Sequence, residues 1–534
     1  MQNSVNYDAI IIGAGHNGLV TAALLARAGK KVLVLERRRE IGGIVTTEEI
    51  HPGFKLSTCA HLAGSFCPQV IAQLELNKYG LEFLAVDPIS FVPDPGKKSL
   101  VLSRDPAKLG EELGRHSKKD QENFASFRSL TRKLAAFLRA LYDLPLPDHG
   151  SPASFNPAKL IRLGWKFHRL GKKEMVEFLR IFPMSITDWL NEWFETDALK
   201  AALSAGGIHG QFYGPRAQGT SYVFLHHQLG ETNGALRAAS FVRGGLGNLA
   251  NAIAAAAKHF GAEIRTEAEV ERIIIKENRA TGVALKNGDE ITAQWVISNA
   301  DIKRTFLKLV GPPSLDPHFL LQVKNLRARG AMAKINLALD TLPKFTCAPD
   351  HVSAASLGGI IHIGSSPDYL ERAADEAKYG RFSIRPFLEI TVPSLADPAL
   401  APPGKHVMSV WMQYAPYHLK DSSWDAERKA LADCVVETIE EVAPGFKSSI
   451  LARQVLTPLD LEKYFALTEG HIYHGELALD QIFFMRPVAG WARYHTPIEN
   501  LFLCGSGTHP GGDITGLPGY YAAKEILKGT RKAK

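Results

Sequence analysis

The feature that most constrains this chain is a glycine pattern set between a short apolar strand and a helix. Ala9 to Ile12 is wholly apolar after Asp8, as a buried parallel strand requires. Gly13-Ala14-Gly15-His16-Asn17-Gly18 follows directly, and Leu19 to Ala28 reads as an Ala- and Leu-rich helix stopped by Gly29. Lys31 to Glu36 supplies a second strand that ends in an acid. In this setting Gly13 permits a tight turn, Gly15 lets the backbone approach a pyrophosphate, and Gly18 allows close helix–strand packing. The helix N-terminus offers unpaired N–H groups and a partial positive charge to phosphates. Glu36 can accept hydrogen bonds from both hydroxyls of a ribose, which disfavours a 2′-phosphate there. The unit predicts a dinucleotide site and by itself leaves NAD and FAD both open.

Beyond this unit the pattern changes and then returns. Residues from about 105 to 193 carry helical periodicity, broken by prolines at 145, 147, 152 and 157. From Val242 the α/β pattern resumes, with Gly244-Gly245-Leu246-Gly247 opening an Ala-rich helix over Leu249 to His259. Strands are expected at Ala262 to Thr266, Val270 to Ile275 and Gln294 to Ser298, with a turn at Lys286-Asn287-Gly288. The segment from about 304 to 480 mixes strands and helices. The last fifty residues return to a strand (Leu501 to Cys504), a glycine-rich loop (505–519) and a helix (Tyr520 to Lys528). The expected fold is α/β: a Rossmann-like dinucleotide-binding domain from 1–75, 236–305 and 485–534, interleaved with an α+β substrate domain from 76–235 and 306–484.

Composition narrows the function classes. A 45% hydrophobic, 22% charged chain of 534 residues can bury large cores. Its five cysteines form no CxxC pair, so neither a disulfide framework, a zinc site nor a dithiol redox centre is indicated. Reduced thiols and the lack of a signal-peptide pattern lead to the expectation of a cytoplasmic, soluble or peripheral chain. Ala9 to Ala26 lacks charges but is interrupted by the glycine turn, which suits a strand–turn–helix better than a membrane span. A net charge of +7, with no basic run interleaved with stacking aromatics, argues against nucleic acid as a partner.

Taken together the motifs are recognisable. They comprise Ile11-Ile12 running into the Gly13–Gly18 turn, Gly42-Gly43 with Thr47-Glu48-Glu49, Asn191-Glu192-Trp193-Phe194, and Gly244-Gly245-Leu246-Gly247. Ser298-Asn299-Ala300-Asp301, Leu479-Asp480-Gln481, Met485-Arg486-Pro487 and Tyr494-His495-Thr496-Pro497-Ile498 follow, before Cys504-Gly505-Ser506-Gly507-Thr508-His509-Pro510-Gly511-Gly512. Nearly the whole chain resembles the phytoene-desaturase-like flavoproteins. Within them it is most similar to the branch holding the cyanobacterial-type β-carotene ketolases and pyridine nucleotide-disulfide oxidoreductase domain-containing protein 2. The resemblance implies a non-covalent FAD in a glutathione-reductase-like, amine-oxidase-like fold. Gly13, Gly15 and Gly18 would sit at its pyrophosphate, Glu36 at the adenosine ribose and Val270 near the adenine. Gly42 and Gly43 would line the cofactor, and Gly505, Gly512 and Asp513 would lie near the diphosphate–ribityl region. Asp513 stands where relatives usually carry Gly or Ser, which an acid suits by hydrogen-bonding the ribityl hydroxyls.

Relatives act on long apolar polyenes by hydride abstraction, oxygenation or flavin-assisted isomerisation, so a hydrophobic, unsaturated substrate is implied. The alternatives are an amine-oxidase-like flavoenzyme and a flavin-retaining interaction or regulatory protein with little turnover. No metal-ligand set is visible. His509 is the candidate catalytic residue beside the isoalloxazine, and a structural histidine bonded to backbone is an equal alternative. His471 and His474 either line the substrate cavity or are structural, and Arg486 either binds a carboxylate or caps a loop. Asn156-Pro157 starts a helix in which Lys159, Arg162, Lys166, Arg169 and Lys173 recur beside Leu160, Leu163, Phe167 and Leu170. Such a segment, 157–173, either lies on an anionic membrane surface or packs on its own domain as a solvated helix.

Overall fold

The computed structural model describes residues 7–94, 96, 99–144, 157–229, 240–347 and 357–532, without the side chains of 157–160 and 530–532. The proline-rich break up to Asn156 and the side chains of Lys159 and Leu160 lie outside the described residues.

Two seven-stranded sheets organise the chain. The first is built around Tyr7–Ile12, which pairs in parallel with Val32–Leu35 on one side and with Glu290–Ser298 on the other. Glu263–Arg265 extends the edge beyond Val32–Leu35. Glu290–Ser298 carries two partners along one edge: antiparallel Arg279–Leu285 on its first half and parallel Leu501–Leu503 on its second. Strands from three distant stretches thus meet in one sheet. A further hairpin, Val270–Lys276 with Arg279–Leu285, turns at Glu277-Asn278, both left-handed. The sequence reading did not expect it, because Glu is an uncommon residue in a turn that needs two positive φ values.

The helix after the glycine turn runs His16–Arg27, three residues earlier than expected, since Gly15 itself is the N-cap. Two other helices, Gly247–His259 and Leu517–Lys532, pack against it. Their contact is made by small side chains such as Ala22, Ala23, Ala250, Ala254, Ala522 and Ala523, which let helix axes approach closely. This packing draws the C-terminus onto the N-terminal turn. The last helix begins at Leu517 rather than Tyr520.

The second sheet has the order Ile450–Leu456, Met332–Leu339, His406–Gln413, Phe387–Thr391, Ile360–Ile363, Ser90–Val92, Leu100–Leu102. Side chains alternate across it with period two. Ile335, Leu337, Ile361, Leu388, Ile390 and Val410 fill an apolar core on one face. Lys334, His362, Glu389 and Trp411 point to the other. Register brings those four into one row: His362 opposes Glu389, Glu389 opposes Trp411, and Trp411 opposes Lys334. A helical layer, including Lys118–Tyr142, Pro157–Leu170 and Lys172–Ile181, completes this half.

Candidate functional site

The glycine turn opens a groove at the C-terminal edge of the first sheet, where ligands of open α/β sheets bind. Gly13 has φ +96°, and its N–H donates to Leu35 O at 2.8 Å, locking the turn to the second strand. A Cβ on Gly18 would meet Gly13 O at 2.3 Å, and one on Gly15 would meet Asn299 Nδ2 at 2.8 Å. Gly42 (φ +112°) donates its N–H to Ala14 O at 2.9 Å, and Gly43 follows with φ +60°. Glu36 is buried; Oε2 accepts the Ala14 N–H at 2.9 Å and Oε1 the Arg38 N–H at 3.0 Å. The carboxylate is therefore oriented before any ligand arrives. Gly13, Gly15, Glu36, Gly42, Gly43 and Val270 all line the groove. Gly18 lies behind them, and Gly505 packs on Asn299 O, where a Cβ would come within 2.8 Å.

The groove is also lined by His16, Asn299, His474 and Ser506, which belong to stretches quoted from the sequence, and by Arg38 and Arg304, which carry no sequence signal of their own. Asn299 directly follows the strand ending at Ser298. His16 Nε2 and His474 Nδ1 are buried and have no hydrogen-bond partner among the described residues. Burial, then repulsion from His474, lowers the His16 pKa to about 4, so its ring is neutral at pH 7. The helix N-terminus has no side-chain cap. Unsatisfied polar atoms, an uncapped helix start and glycines where a Cβ would intrude all fit a dinucleotide pyrophosphate.

At Ile44 the groove meets a second, inner chamber. Its wall includes His61, His209, His227, Trp411, Tyr473 and Asp513. His227 donates its Nδ1–H to Gly206 O at 2.6 Å, and its Nε2 lies 3.0 Å from the Tyr473 hydroxyl. The polar row of the second sheet stands behind this wall. His61 Nε2 lies 2.9 Å from Glu389 Oε1, and its Nδ1 lies 3.5 Å from Lys334 Nζ. Burial, followed by repulsion from Lys334, pushes the His61 pKa to about 3. The contact is therefore a neutral imidazole N–H donating to a carboxylate, with Nδ1 facing the lysine. Lys334 donates to Ser409 Oγ at 2.5 Å, and burial lowers its pKa to about 7. Near neutral pH its amine can hold or release a proton. Burial pushes the Asp513 carboxyl up, but nearby His227, the Ser65 hydroxyl and the Ile514 N–H outweigh it and hold the pKa low.

Gly512 packs under Tyr473, and its carbonyl accepts the His226 Nε2–H at 3.0 Å. Arg486 is fully buried and donates to the carbonyls of Glu476, Gln481, Tyr473, Gly475 and Ser506, so it caps loops rather than binding a carboxylate. His471 Nδ1 accepts the Tyr473 and Gly475 N–H groups and is structural. His509, the candidate catalytic residue, is buried, and its Nδ1 has no hydrogen-bond partner among the described residues. Its Nε2 lies 3.1 Å from Tyr142 O, and it lines an outer groove of about 690 Å3 with Tyr494 and Tyr521. Among the described residues no cluster of His, Cys, Asp or Glu could hold a metal ion, and all five cysteines are free.

Fold and groove together define a dinucleotide-binding protein with a second chamber, walled in part by histidines, beside the nucleotide site. The chain belongs to the flavin containing amine oxidoreductase family, whose model matches residues 18–527. It is an FAD-dependent oxidoreductase of the amine oxidase and desaturase superfamily. It is 38% identical to the pyridine nucleotide-disulfide oxidoreductase domain-containing protein 2 of Rattus norvegicus, over 98% of this chain and 93% of that one. A phytoene desaturase (lycopene-forming) of Pseudescherichia vulneris is 26% identical over 95% of this chain and 96% of its own. The fold is shared with the crystal structure of an oxidoreductase from Methanosarcina mazei (TM-score 0.60, 18% identity, 97% and 99% of the two chains).

Proposed function

We propose that the chain oxidises a hydrophobic, unsaturated molecule of carotenoid, retinoid or lipid type, by desaturation, oxygenation or isomerisation. The observation that carries this reading is an apolar cavity against the polar row. Leu102, Leu109, Phe124, Leu203 and Phe224 line it, together with Ser90, Arg104, Arg128 and His362. His362 is also the end member of the row whose Trp411 lines the chamber. An apolar body on one side and proton-active groups on the other suit a mostly apolar substrate reacting at one point. Similarity to a phytoene desaturase supports the same class. Contact of segment 157–173 with a membrane belongs to this reading, because such a molecule dissolves in lipid.

In the same reading 1–75, 236–305 and 485–534 form the FAD unit, and 76–235 with 306–484 form the substrate unit. Gly13, Gly15 and Gly18 serve the pyrophosphate, Glu36 the ribose, and Gly42, Gly43 and Val270 the nucleotide half. Gly505, Gly512 and Asp513 serve the flavin half. Bound FAD supplies the two-electron redox chemistry. The chain's own groups exclude water from the chamber and hold a proton at Lys334 Nζ, with His61 and Glu389 fixing its partners.

A second reading, amine oxidation, is favoured by one observation: the chamber is polar, and a carboxylate, Glu389, is buried behind its wall. Anaerobic titration of the purified holoprotein separates the two. Phytoene, retinol or an unsaturated fatty acid is expected to bleach or shift the visible flavin band, and simple amines are not. Bleaching by amines alone replaces the polyene reading with the second. No response to any of them, with no acceptor supporting turnover, leaves a flavin-binding protein with an interaction role.

A further inference from the structure

The helices Pro157–Leu170 and Lys172–Ile181 adjoin each other and pack on Lys118–Tyr142 through one side each. Leu163, Phe167, Leu170, Phe178 and Ile181 provide that inward side and belong to the aromatic core of the helical half. The apolar stripe recognised in the sequence is therefore already occupied by protein. A different set of apolar residues faces out. Ile161 is 72% exposed, Trp165 55%, Val176 59% and Leu179 64%. Ile161 and Trp165 are one helical turn apart, as are Val176 and Leu179, so each pair forms a short outward ridge. Both ridges belong to adjoining helices on one support, the helix Lys118–Tyr142. Scattered exposed apolar residues need no explanation, but four of this size on two adjoining helices form a patch that water disfavours.

Charge says what covers it. Arg162, Lys166, Arg169, Lys172 and Lys173 are all exposed around the ridges. The two carboxylates on this stretch are tied up: Glu174 pairs with Lys133, and Glu177 with Arg180. Arg169 lies 4.2 Å from the Trp165 ring centroid, a pairing that places an indole and a cation at one level. Arg162 and Lys166 share the outer groove with Lys524 and Lys528 of the C-terminal helix, where Lys528 pairs with Glu525 and Asp143 also lines the wall. Apolar ridges with an interfacial Trp inside a ring of cations match a bilayer carrying anionic headgroups. A protein partner of ordinary surface would leave most of these cations unpaired.

We propose that the outward face of 161–181, flanked by Lys524 and Lys528, docks on an anionic lipid bilayer. Ile161, Trp165, Val176 and Leu179 enter the headgroup layer while the cations meet lipid phosphates and carboxylates. Among the described residues no helix is long and apolar enough to cross a membrane, so the attachment made by this face is peripheral. The proposal deepens the reading of a lipid-dissolved substrate by naming the surface that meets the lipid.

Flotation of the full-length holoprotein with vesicles tests it. Binding is expected to vesicles of equimolar phosphatidylcholine and phosphatidylserine, and to be weaker by about tenfold or more on phosphatidylcholine alone. The pair Ile161→Ser/Trp165→Ser and the pair Lys166→Glu/Lys173→Glu are each expected to lose about tenfold in binding, with flavin content and thermal midpoint unchanged because all four side chains are exposed. Failure of the parent protein to float with the anionic vesicles overturns the proposal, as does parental binding by both variants. Concentration-dependent self-association that Ile161→Ser/Trp165→Ser abolishes, without vesicle binding, assigns the face to a second copy of the chain instead. The readout needs no turnover, so a failed substrate titration and a failed flotation are distinguishable.

Discussion

Lys334 and Trp411 oppose each other on neighbouring strands, with the lysine Nζ 4.7 Å from the indole centroid. The pair closes a buried polar row that continues through Glu389 to His362, and His61, just after the strand Phe54–Ser57, joins it through Glu389. An amine in this position costs stability while it is charged, and aromatic contact offsets part of that cost.

The sign of the resulting pH dependence follows from Lys334. Its pKa falls from 10.5 to about 7 on folding. Below about pH 7 the amine is charged in both states and the fold carries the whole burial penalty. Between about 7 and 10.5 the unfolded chain binds more protons, so this group's contribution to stability improves as pH rises. Lys334→Met removes the dependence. Its thermal midpoint relative to the parent is expected to be most favourable near pH 7 and to decline towards pH 10.5. A difference constant over that range would show that Lys334 does not titrate there.

At the nucleotide groove, Gly18→Ala forces a Cβ against Gly13 O, which neighbouring backbone cannot yield cheaply. A loss of about 1–3 kcal/mol in stability and a clear fall in bound flavin per chain are expected. Absorbance ratios and denaturant unfolding measure both. Normal flavin content in a stable Gly18→Ala protein would refute the packing role.

Glu36→Gln keeps shape but leaves one oxygen to do the work of two. Reconstitution of apoprotein is expected to show FAD affinity weakened by about tenfold, in line with the ~1.5–3 kcal/mol of a hydrogen bond to a charged group. Unchanged affinity would mean that the carboxylate serves only the Ala14 and Arg38 amides.

Arg486→Met withdraws donors from five buried carbonyls. Destabilisation of about 3–5 kcal/mol is expected in urea unfolding, and Arg486→Lys should recover only part of it because an ammonium cannot span the fork. Full recovery by lysine would reduce the clamp to a charge effect.

His509→Gln tests where the chemistry is. With the ring in the outer groove, the flavin spectrum and turnover are expected to stay as in the parent, and stability to fall by about 1 kcal/mol for the lost contact to Tyr142 O. A loss of turnover with normal flavin content would restore His509 to the reacting centre.

The glycine turn was legible because its demands are local. Gly13 needs φ +96°, Gly18 needs the absence of a Cβ, and Glu36 closes the next strand, all within one βαβ unit. The same local signals marked Gly42-Gly43 and the C-terminal loop. The contacts of His509 with Tyr142 and Tyr494 were not legible in the same way, because they depend on how its turn packs, which no spacing reveals.

By itself the sequence determined the cofactor unit, since backbone conformation and close approach are written in residue type at short range. The tertiary structure alone decided the chamber and the exposed face. Lys334, His362, Glu389 and Trp411 come from four strands and share a row only through register, a long-range choice made when the odd-numbered neighbours of Lys334 found their apolar core. Likewise the Pro157–Leu170 helix has apolar residues on more than one side, and contact with the helix Lys118–Tyr142 selected which of them were buried and left Ile161 and Trp165 outside.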